Sequence, residues 1–336
     1  MEHCAIDLGG RKSQVCVRAS DGTILHESRP DTLALKEFLQ GRPKSRVIVE
    51  TCAEAFGIAD AALALGHEVR VVSATLVRTL GVGARRTKTD RRDAQTLSEV
   101  SCRIDLPSVH VPGQRSREVK TICGMRDGLV TARAKLINTV RGWLRGQAVR
   151  ISSGATPGFT ARVREIGDLP DHLGAQLRAI DSLSREIKIA DERVEGLAGA
   201  DPVCRRLMTV PGIGAQTALR YTAALDDITR FHDSHRVEAY LGLVPGERSS
   251  SEREQRLSIT KAGATSVRWL LVQAAWALRR CKTAEARPLQ LWTLEIEKRR
   301  GKQIATVALA RKLTGILYAI WRNGTSYDPT RTTQTH

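Results

Sequence analysis

Two carboxylates three residues apart stand in a basic stretch of the chain and are the first candidates for chemistry. Asp90 and Asp93 lie within KTDRRDAQTL, residues 88–97. If a helix begins near Asp90, the two residues share a face, and like charges placed there repel each other unless a cation lies between them. That cation could be a divalent metal ion or one of the neighbouring side chains, Arg85, Arg86, Lys88, Arg91 and Arg92. The alternative is an exposed helix start with acidic residues in its first turn.

Two further carboxylates follow apolar, strand-like segments near the N-terminus. Asp7 ends the run HCAID and Glu50 ends RVIVE. A carboxylate at such a position needs a metal, a cation or solvent, because burying it alone is costly. The carboxyl ends of strands form the site edge of an open α/β sheet. Asp7, Glu50, Asp90 and Asp93 together predict a two-metal site, in which two Mg²⁺ ions clamp the attacking and leaving oxygens of a phosphoryl transfer.

A serine cluster in the C-terminal part offers a candidate nucleophile. Ser249, Ser250 and Ser251 lie in the polar segment 242–263, beside Arg248, Arg253, Arg256 and Lys261. A hydroxyl flanked by cations has the groups that a serine attack on a phosphodiester requires. The alternative is a flexible polar loop without chemistry, since serine runs are common in linkers.

The composition limits the class of protein. The chain has 336 residues, 41% of them hydrophobic, which is enough for two or three domains with cores of their own. The formal net charge is +17, from 53 Lys and Arg against 36 Asp and Glu, and favours a nucleic acid as partner. No apolar run reaches membrane-spanning length and no signal peptide is recognisable. Seven scattered cysteines without a C-x-x-C pair indicate reduced thiols in the cytoplasm.

The elements that must position the carboxylates form a mixed α/β domain over residues 1–108. Residues 3–28 predict three short strands, with an SDG turn typical of a hairpin. The strand–helix–strand–helix order that follows predicts parallel pairing of the fourth and fifth strands. A further helix is expected from Asp90 to about Cys102.

Two long periodic segments follow a proline-containing linker at 103–115. Apolar residues recur near heptad spacing from Val119 to Trp143 and from Leu173 to Leu197, which predicts an antiparallel coiled-coil hairpin in a connector at 109–200. The outer face of its first helix could contact nucleic acid or simply be solvated; it carries Arg126, Arg133, Lys135, Arg141 and Arg145. Residues 201–325 are expected to be mostly helical, with helices at 234–240, 264–280 and 301–323. Residues 326–336 are expected to be a disordered tail.

Short motifs along nearly the whole chain resemble the DEDD-type insertion-sequence transposases related to the Piv DNA invertase. They are AIDLGG at 5–10, VIVET at 47–51, KTDRRDA at 88–94, VPGIG at 210–214, GLVPGERSS at 242–250, ITKAG at 259–263 and ARKL at 310–313. Each motif alone is unspecific, and the resemblance rests on their order and spacing. It implies an N-terminal RuvC-like (ribonuclease H-like) domain, a coiled-coil connector and a C-terminal transposase domain that holds a nucleophilic serine.

The resemblance also assigns roles to residues. It carries Mg²⁺ binding onto Asp7, Glu50, Asp90 and Asp93, and the nucleophile onto the serine of the family's Ser-Gly pair. Ser251 stands at the glycine position here, so Ser250 is the best match and Ser249 and Ser251 are register alternatives. The implied partners are double-stranded DNA at the element ends and the target, a noncoding guide RNA and further copies of the chain in a dimer or tetramer.

The expected nucleic-acid contacts are basic residues near the carboxylates and the serines, together with cations on the later helices. They are Arg85, Arg86, Lys88, Arg91, Arg92, Arg248, Arg256, Lys261, Arg268, Lys302, Arg311 and Lys312. Two alternatives to a recombinase stay open. One is a RuvC-like nuclease that uses water as nucleophile, and the other is a nucleic-acid-binding protein without chemistry.

Overall fold

The chain divides into two units, Met1–Pro112 and Gly113–His336. A computed structural model describes residues 1–79, 90–167, 169–250 and 253–333. Within these ranges, the side chains at 78–79, 90, 247–250, 253–256 and 332–333 are not described. Apart from residues 109–112, the two predicted segments 109–200 and 201–325 fall in the same unit.

The first unit is built on a five-stranded sheet with the strand order β3-β2-β1-β4-β5. The strands are β1 (Glu2–Asp7), β2 (Gln14–Arg18), β3 (Ile24–Ser28), β4 (Ser45–Glu50) and β5 (Glu68–Val72). Strands β1, β2 and β3 pair antiparallel, whereas β1–β4 and β4–β5 pair parallel. This confirms the predicted mixed sheet and is consistent with a RuvC-like domain.

Helices cover the two faces of this sheet. They are α1 (Leu35–Gln40), α2 (Ala55–Ala64), α3 (Ala74–Thr79) and α4 (Asp90–Arg103). Ile6 and Val49 pack with Leu35 of α1 in one hydrophobic cluster. Ala5 and Ile48 pack with Leu97 of α4 in another. Successive strand residues alternate between faces, so the positions that share a face with Ala5 and Ile48 lie on the α4 side.

The second unit is almost entirely helical. Its helices are α5 (Gln114–Gly146), α6 (Phe159–Arg164), α7 (Asp171–Ala200), α8 (Pro202–Leu207), α9 (Ala215–Leu225), α10 (Ser234–Tyr240), α11 (Thr265–Arg280), α12 (Arg287–Arg300) and α13 (Lys302–Asn323). The helices expected at 234–240, 264–280 and 301–323 are therefore confirmed to within one residue. The turn at 210–214 separates α8 from α9.

Helices α5 and α7 form an antiparallel pair. Arg126 of α5 contacts Asp191 of α7, and Arg133, further along α5, contacts Ser184, which lies earlier in α7. Val119 and Val194 join the same core as Leu219 of α9 and Leu313 of α13. The antiparallel pairing agrees with the prediction, and the shared core explains why the pair belongs to the same unit as the later helices.

Helix α13 is the one helix in the described ranges that is long and apolar enough to cross a membrane by length and composition. It packs as a core helix instead, because Leu309, Leu313 and Leu317 are fully buried against the other helices of the unit.

The segment 242–263, expected to be a polar loop, contains a β-hairpin. Its strands are β6 (Pro245–Ser250) and β7 (Arg253–Ile259), which pair antiparallel. The sequence did not indicate strands because most residues of β6 and β7 are polar, and hydrophobic alternation is the main strand signal. Here the pairing of backbone N–H and C=O groups across the hairpin supplies the structure.

The C-terminal end differs from the expected disordered tail over its described residues. Residues Pro329–Thr333 form a 3₁₀ turn. The Tyr327 backbone N–H donates to Thr209 Oγ1 at 2.9 Å, and the Tyr327 hydroxyl donates to the Glu285 carbonyl at 3.3 Å. These hydrogen bonds attach the segment after α13 to the helical core.

Candidate active site and nucleic-acid interface

Asp7 and Glu50 are the last residues of two neighbouring parallel strands. Ile6 and Val49, one position earlier, are register partners in the β1–β4 pairing. Adjacent strands lie about 4.8 Å apart, so Asp7 and Glu50 occupy neighbouring positions at the sheet edge. Asp7 lies two residues after Ala5, and Glu50 two residues after Ile48. Residues two apart in a strand share a sheet face, so both acids belong to the face that α4 covers. Both are half-buried.

Helix α4 runs antiparallel to β1, which brings its first turn to the same edge. The His3 ring Nδ1 hydrogen-bonds Ser101 Oγ at 2.8 Å, fixing the late part of α4 at the start of β1. Asp93 precedes Ser101 by about 12 Å of helix, and Asp7 lies about 13 Å beyond His3 along the strand. The first turn of α4 is therefore level with Asp7.

Asp90 and Asp93 lie on the side of α4 that faces the sheet. Ala94 and Leu97 are buried there, and each follows one of the two aspartates by four residues, a spacing that keeps them on one helix face. The predicted helix from Asp90 to about Cys102 is confirmed by α4, which spans Asp90–Arg103. Asp93 is half-buried, and both Asp93 and Asp7 have interactions within the protein.

Glu50 differs from most other acids of the first unit in its surroundings. Glu2 pairs with Arg42 at 3.1 Å, and Glu68 pairs with Arg70 at 2.8 Å. No ion pair or hydrogen bond of the Glu50 side chain occurs within the described ranges. A half-buried carboxylate without a counter-charge is unfavourable, so this position suits a bound cation.

The four carboxylates are the right kind of ligand for a divalent metal ion, but the described side chains are not arranged around a common metal position. Carboxylate oxygens are the ligands that Mg²⁺ prefers. Among the described side chains, no group of three or more His, Cys, Asp or Glu is arranged to hold a metal ion; the Asp90 side chain is outside that set. The fit therefore rests on the backbone placement of four carboxylates at one edge.

An ion pair fixes the start of α4 against β3. Arg91 Nη2 lies 2.5 Å from Glu27 Oε2, and Gln95 also donates to Glu27. The hydrogen bond from Arg91 lowers the pKa of Glu27, which keeps this carboxyl charged. Arg91 therefore has a protein partner, as has Arg92. Arg85, Arg86 and Lys88 lie outside the described residues.

Two residues of the serine cluster, Ser249 and Ser250, end strand β6 of the hairpin. Ser250 is the last residue of β6 and is the register partner of Arg253, while Ser249 pairs with Glu254. Ser251 lies outside the described residues, and the side chains of Ser249, Ser250, Arg248 and Arg256 are not described. The backbone alone thus places Ser250 at the end of β6, opposite Arg253.

Arg268 corrects one expectation, because it is a buried structural residue and not an exposed nucleic-acid contact. It is 8% exposed. Its Nη1 donates to the carbonyls of Leu241 at 2.9 Å and Ala262 at 2.6 Å. These two carbonyls flank the two ends of the hairpin segment, so Arg268 holds its base closed. The sequence did not reveal this role because an arginine in a helix is usually exposed to solvent.

Two glycines at the same base were also missed. Gly242 has φ +68° and Gly263 has φ +69°, values that favour glycine. A Cβ on Gly263 would meet the Tyr240 carbonyl oxygen at 2.0 Å, and one on Gly242 would meet Ala262 at 2.4 Å. The signal was present in the sequence as a glycine at each end of the segment. Arg268, Gly242 and Gly263 are called the hairpin clamp below.

The remaining expected contacts lie on α13 and near the hairpin. Arg311 Nε donates to Glu238 Oε2 at 2.5 Å, so the Arg311 guanidinium is paired with an acidic residue of the same unit. Lys302 and Lys312 lie over the rings of Trp276 and Trp292, at 5.3 and 4.6 Å from the ring centres. Burial lowers the pKa of Lys312. Lys261 is exposed. The tryptophan partners were not anticipated, since they come from other helices.

Comparison with known proteins identifies the family. A family model described as a transposase, of the DEDD type of IS110 elements, matches residues 4–148. A second, described as the transposase IS116/IS110/IS902 family, matches residues 204–290. The first contains all four carboxylates and the second contains the hairpin and its clamp.

Relatives match over most of their length. A probable family 20 transposase of Pseudomonas aeruginosa is 30% identical over 305 residues, which is 88% of this chain and 89% of the relative. The transposase for insertion sequence element IS1111A of Coxiella burnetii is 27% identical and covers 96% of this chain and 90% of the relative. The transposase for element IS1328 of Yersinia enterocolitica is 28% identical, with 96% and 97% covered. The chain therefore belongs to the IS110/IS116 family of insertion-sequence DNA transposases, with a DEDD-type domain that implies dependence on a divalent metal.

Proposed function

We propose that this transposase cuts and rejoins DNA through a covalent serine–DNA intermediate, with Ser250 as the nucleophile. The serine oxygen forms a bond to the scissile phosphorus and gives up its proton. The bond from phosphorus to the leaving sugar oxygen breaks, and that oxygen takes up a proton and becomes a free hydroxyl. A hydroxyl of the exchanged strand then attacks the phosphoserine and restores the serine, so the number of phosphodiester bonds is unchanged.

The position of Ser250 at the end of β6 supports this choice. The antiparallel pairing with β7 fixes the backbone of Ser250. Arg253 is the register partner of Ser250 and carries a charge of the sign that a developing phosphorane needs. Successive strand positions belong to opposite faces, so Ser249 and Ser250 are not equivalent, and only one of them can serve the same DNA position.

Asp7, Glu50, Asp90 and Asp93 are the residues that would hold Mg²⁺ in this proposal, with two ions per site. When bound, Mg²⁺ polarises the scissile phosphate and favours ionisation of the attacking hydroxyl. The support is the placement of these four residues at one sheet edge, and the half-burial of Glu50 without a protein counter-charge. The contact between His3 and Ser101 fixes α4 along β1, so the protein itself sets the spacing of the carboxylates.

The choice of DNA sites is proposed to come from a noncoding guide RNA, transcribed from the ends of the element. The resemblance of the ordered motifs supports this proposal, and a net charge of +17 gives a surface that can hold a second polyanion. The same resemblance supports a homo-oligomer, dimer or tetramer, that acts at the nucleoid in the bacterial cytoplasm.

The test is whether DNA becomes covalently attached to Ser250. Labelled element-end DNA is incubated with the protein, the guide RNA and Mg²⁺, and the products are separated under denaturing conditions. The wild-type protein should retain label, whereas Ser250→Ala should retain none and should lose strand rejoining by a factor of about 10³ or more.

Matched controls separate the serines from one another. Ser258→Ala alters an exposed serine on the other strand of the hairpin and should keep full activity. Ser249→Ala tests whether Ser249, and not Ser250, is the nucleophile. Cleavage by Ser250→Ala at the wild-type rate, with no adduct in any variant, would replace the serine mechanism with the water nucleophile of a RuvC-like nuclease.

A further inference from the structure

A basic pocket lies at the end of α5 and includes Arg141 and Arg145, two of the helix arginines whose role the sequence left open. It has a volume of about 740 Å³. Three arginines and two serines line it, Arg141, Arg145, Arg150, Ser152 and Ser153, over an apolar floor that includes Leu144 and Val149. No acidic residue lines this arginine pocket.

The chain reversal after α5 creates the pocket. Arg141 and Arg145 are four residues apart and share one face of the helix, which ends at Gly146. Ala148 has φ +58°, and the Val149 N–H donates back to the Leu144 carbonyl at 2.9 Å. This turn folds the chain against the helix end and brings Arg150 and the two serines beside the helical arginines.

The pocket keeps its positive charge. Arg126 and Arg133, earlier on the same helix, have partners on α7, namely Asp191 and Ser184. Arg145 and Arg150, in contrast, have no ion pair within the described ranges. The C-terminus of α5 contributes a partial charge of about −0.5, which favours Arg145 but leaves most of three positive charges uncompensated.

Arg141 is held in place before any ligand arrives. Its guanidinium lies over the Phe159 ring, 5.3 Å from the ring centre. Phe159 is 1% exposed and packs with Leu144 and Leu173 in the cluster that joins α5, α6 and α7. An arginine fixed in this way loses less conformational freedom when it binds an anion.

We propose that the arginine pocket binds the phosphate backbone of the DNA substrate. Guanidinium groups donate hydrogen bonds and accept none, and they match phosphate oxygens in pairs. Serine hydroxyls add donors of the kind found at DNA phosphates. Phosphate contacts of this kind fix the position of the DNA on the protein. The inference does not depend on the serine mechanism, because binding can be measured without cleavage.

The test compares two double variants of the full chain that lose the same charge. Arg145→Gln/Arg150→Gln removes two pocket arginines, and Arg178→Gln/Arg193→Gln removes two exposed arginines of α7 that do not line the pocket. Affinity for a labelled DNA duplex of mixed sequence is measured by fluorescence anisotropy, without Mg²⁺, over a series of salt concentrations. Circular dichroism melting checks that each variant is folded.

The pocket variant should bind duplex about tenfold more weakly, and its slope of log affinity against log salt should fall by about 2, because each lost phosphate contact removes about 0.9 from the slope. The α7 variant should change affinity about twofold or less. A second pocket variant, Ser153→Asp, keeps the arginines but adds a carboxylate and should also weaken binding. Equal losses in the two double variants would overturn the proposal. So would an unchanged duplex affinity together with weaker binding of a single-stranded RNA of the same length.

Discussion

At the scale of single residues, the acids of the first unit differ in how their charge is compensated. Glu2, Glu27 and Glu68 each have an arginine within ion-pair distance. Glu50 is half-buried and lacks such a partner in the described part of the chain. This contrast supports a catalytic role for Glu50. A half-buried carboxylate without a counter-ion does not stabilise the fold, so stability does not explain an acidic residue at this strand end.

Neutralising the carboxylates should therefore remove catalysis without unfolding the protein. Asp7→Asn, Glu50→Gln and Asp93→Asn are each expected to lower strand cleavage by about 10³-fold or more, because metal ligation needs the charged oxygens. The melting temperature of Glu50→Gln should be unchanged or higher, since an uncompensated charge is removed. Cleavage assays and thermal melts measure both effects.

Glu37→Gln provides the matched control, because Glu37 is an exposed acid of α1. It should keep wild-type cleavage. Normal transposition by all three carboxylate variants would contradict the metal site and would support a nucleic-acid-binding protein without chemistry in this unit.

At the scale of elements, the hairpin depends on its clamp more than on its own strands. An isolated two-stranded hairpin is at best marginally stable, and most residues of β6 and β7 are polar. The contacts from Arg268 to Leu241 and Ala262 hold the two ends together from the buried side. The serine position thus depends on a residue of α11 that never needs to touch DNA.

Breaking the clamp should lower both stability and serine chemistry. Arg268→Met leaves the buried Leu241 carbonyl and the partly buried Ala262 carbonyl without their donor and should destabilise the protein by about 1–3 kcal/mol. Gly263→Ala should destabilise it as well, because the new Cβ meets the Tyr240 carbonyl oxygen at 2.0 Å. Urea denaturation measures the free energy of unfolding, and the covalent DNA adduct reports on the serine.

A comparison variant distinguishes the clamp from surface charge. Lys261→Gln removes an exposed cation near the same base and should leave the free energy of unfolding within about 0.5 kcal/mol. A loss in Arg268→Met no larger than in Lys261→Gln would contradict the structural role of Arg268.

Elements with strong periodicity could be predicted from the sequence, and elements held by tertiary contacts could not. The apolar strands that end at Asp7 and Glu50 and the helix Ser234–Tyr240 follow from hydrophobic pattern. The β6–β7 hairpin has no such pattern. Arg268 looks like any other helix cation, and only the fold brings the Leu241 and Ala262 carbonyls to it. Asp7 and Glu50 could be singled out because strand ends mark them, whereas Trp276 and Trp292 reach their lysines from neighbouring helices.

At the scale of the whole molecule, the two units have separate hydrophobic cores. Leu39 belongs to one of the two clusters of the first unit, and Leu313 to the larger cluster of the second. All seven cysteines are free, as their scattered positions predicted, so no disulfide joins the units. The covalent connection that remains is the chain between Pro112 and Gly113.

Thermal unfolding of the full chain should therefore show two transitions, one for each unit, because the elements of a compact unit unfold cooperatively. Leu39→Ala should lower the transition of the first unit, and Leu313→Ala that of the second. Both leucines are fully buried, and a buried leucine truncated to alanine loses about 2–5 kcal/mol. Differential scanning calorimetry resolves the transitions, and each variant is the control for the other. If either substitution shifted a single common transition, the two cores would unfold as one cooperative unit, and the division at Pro112 would have no thermodynamic meaning.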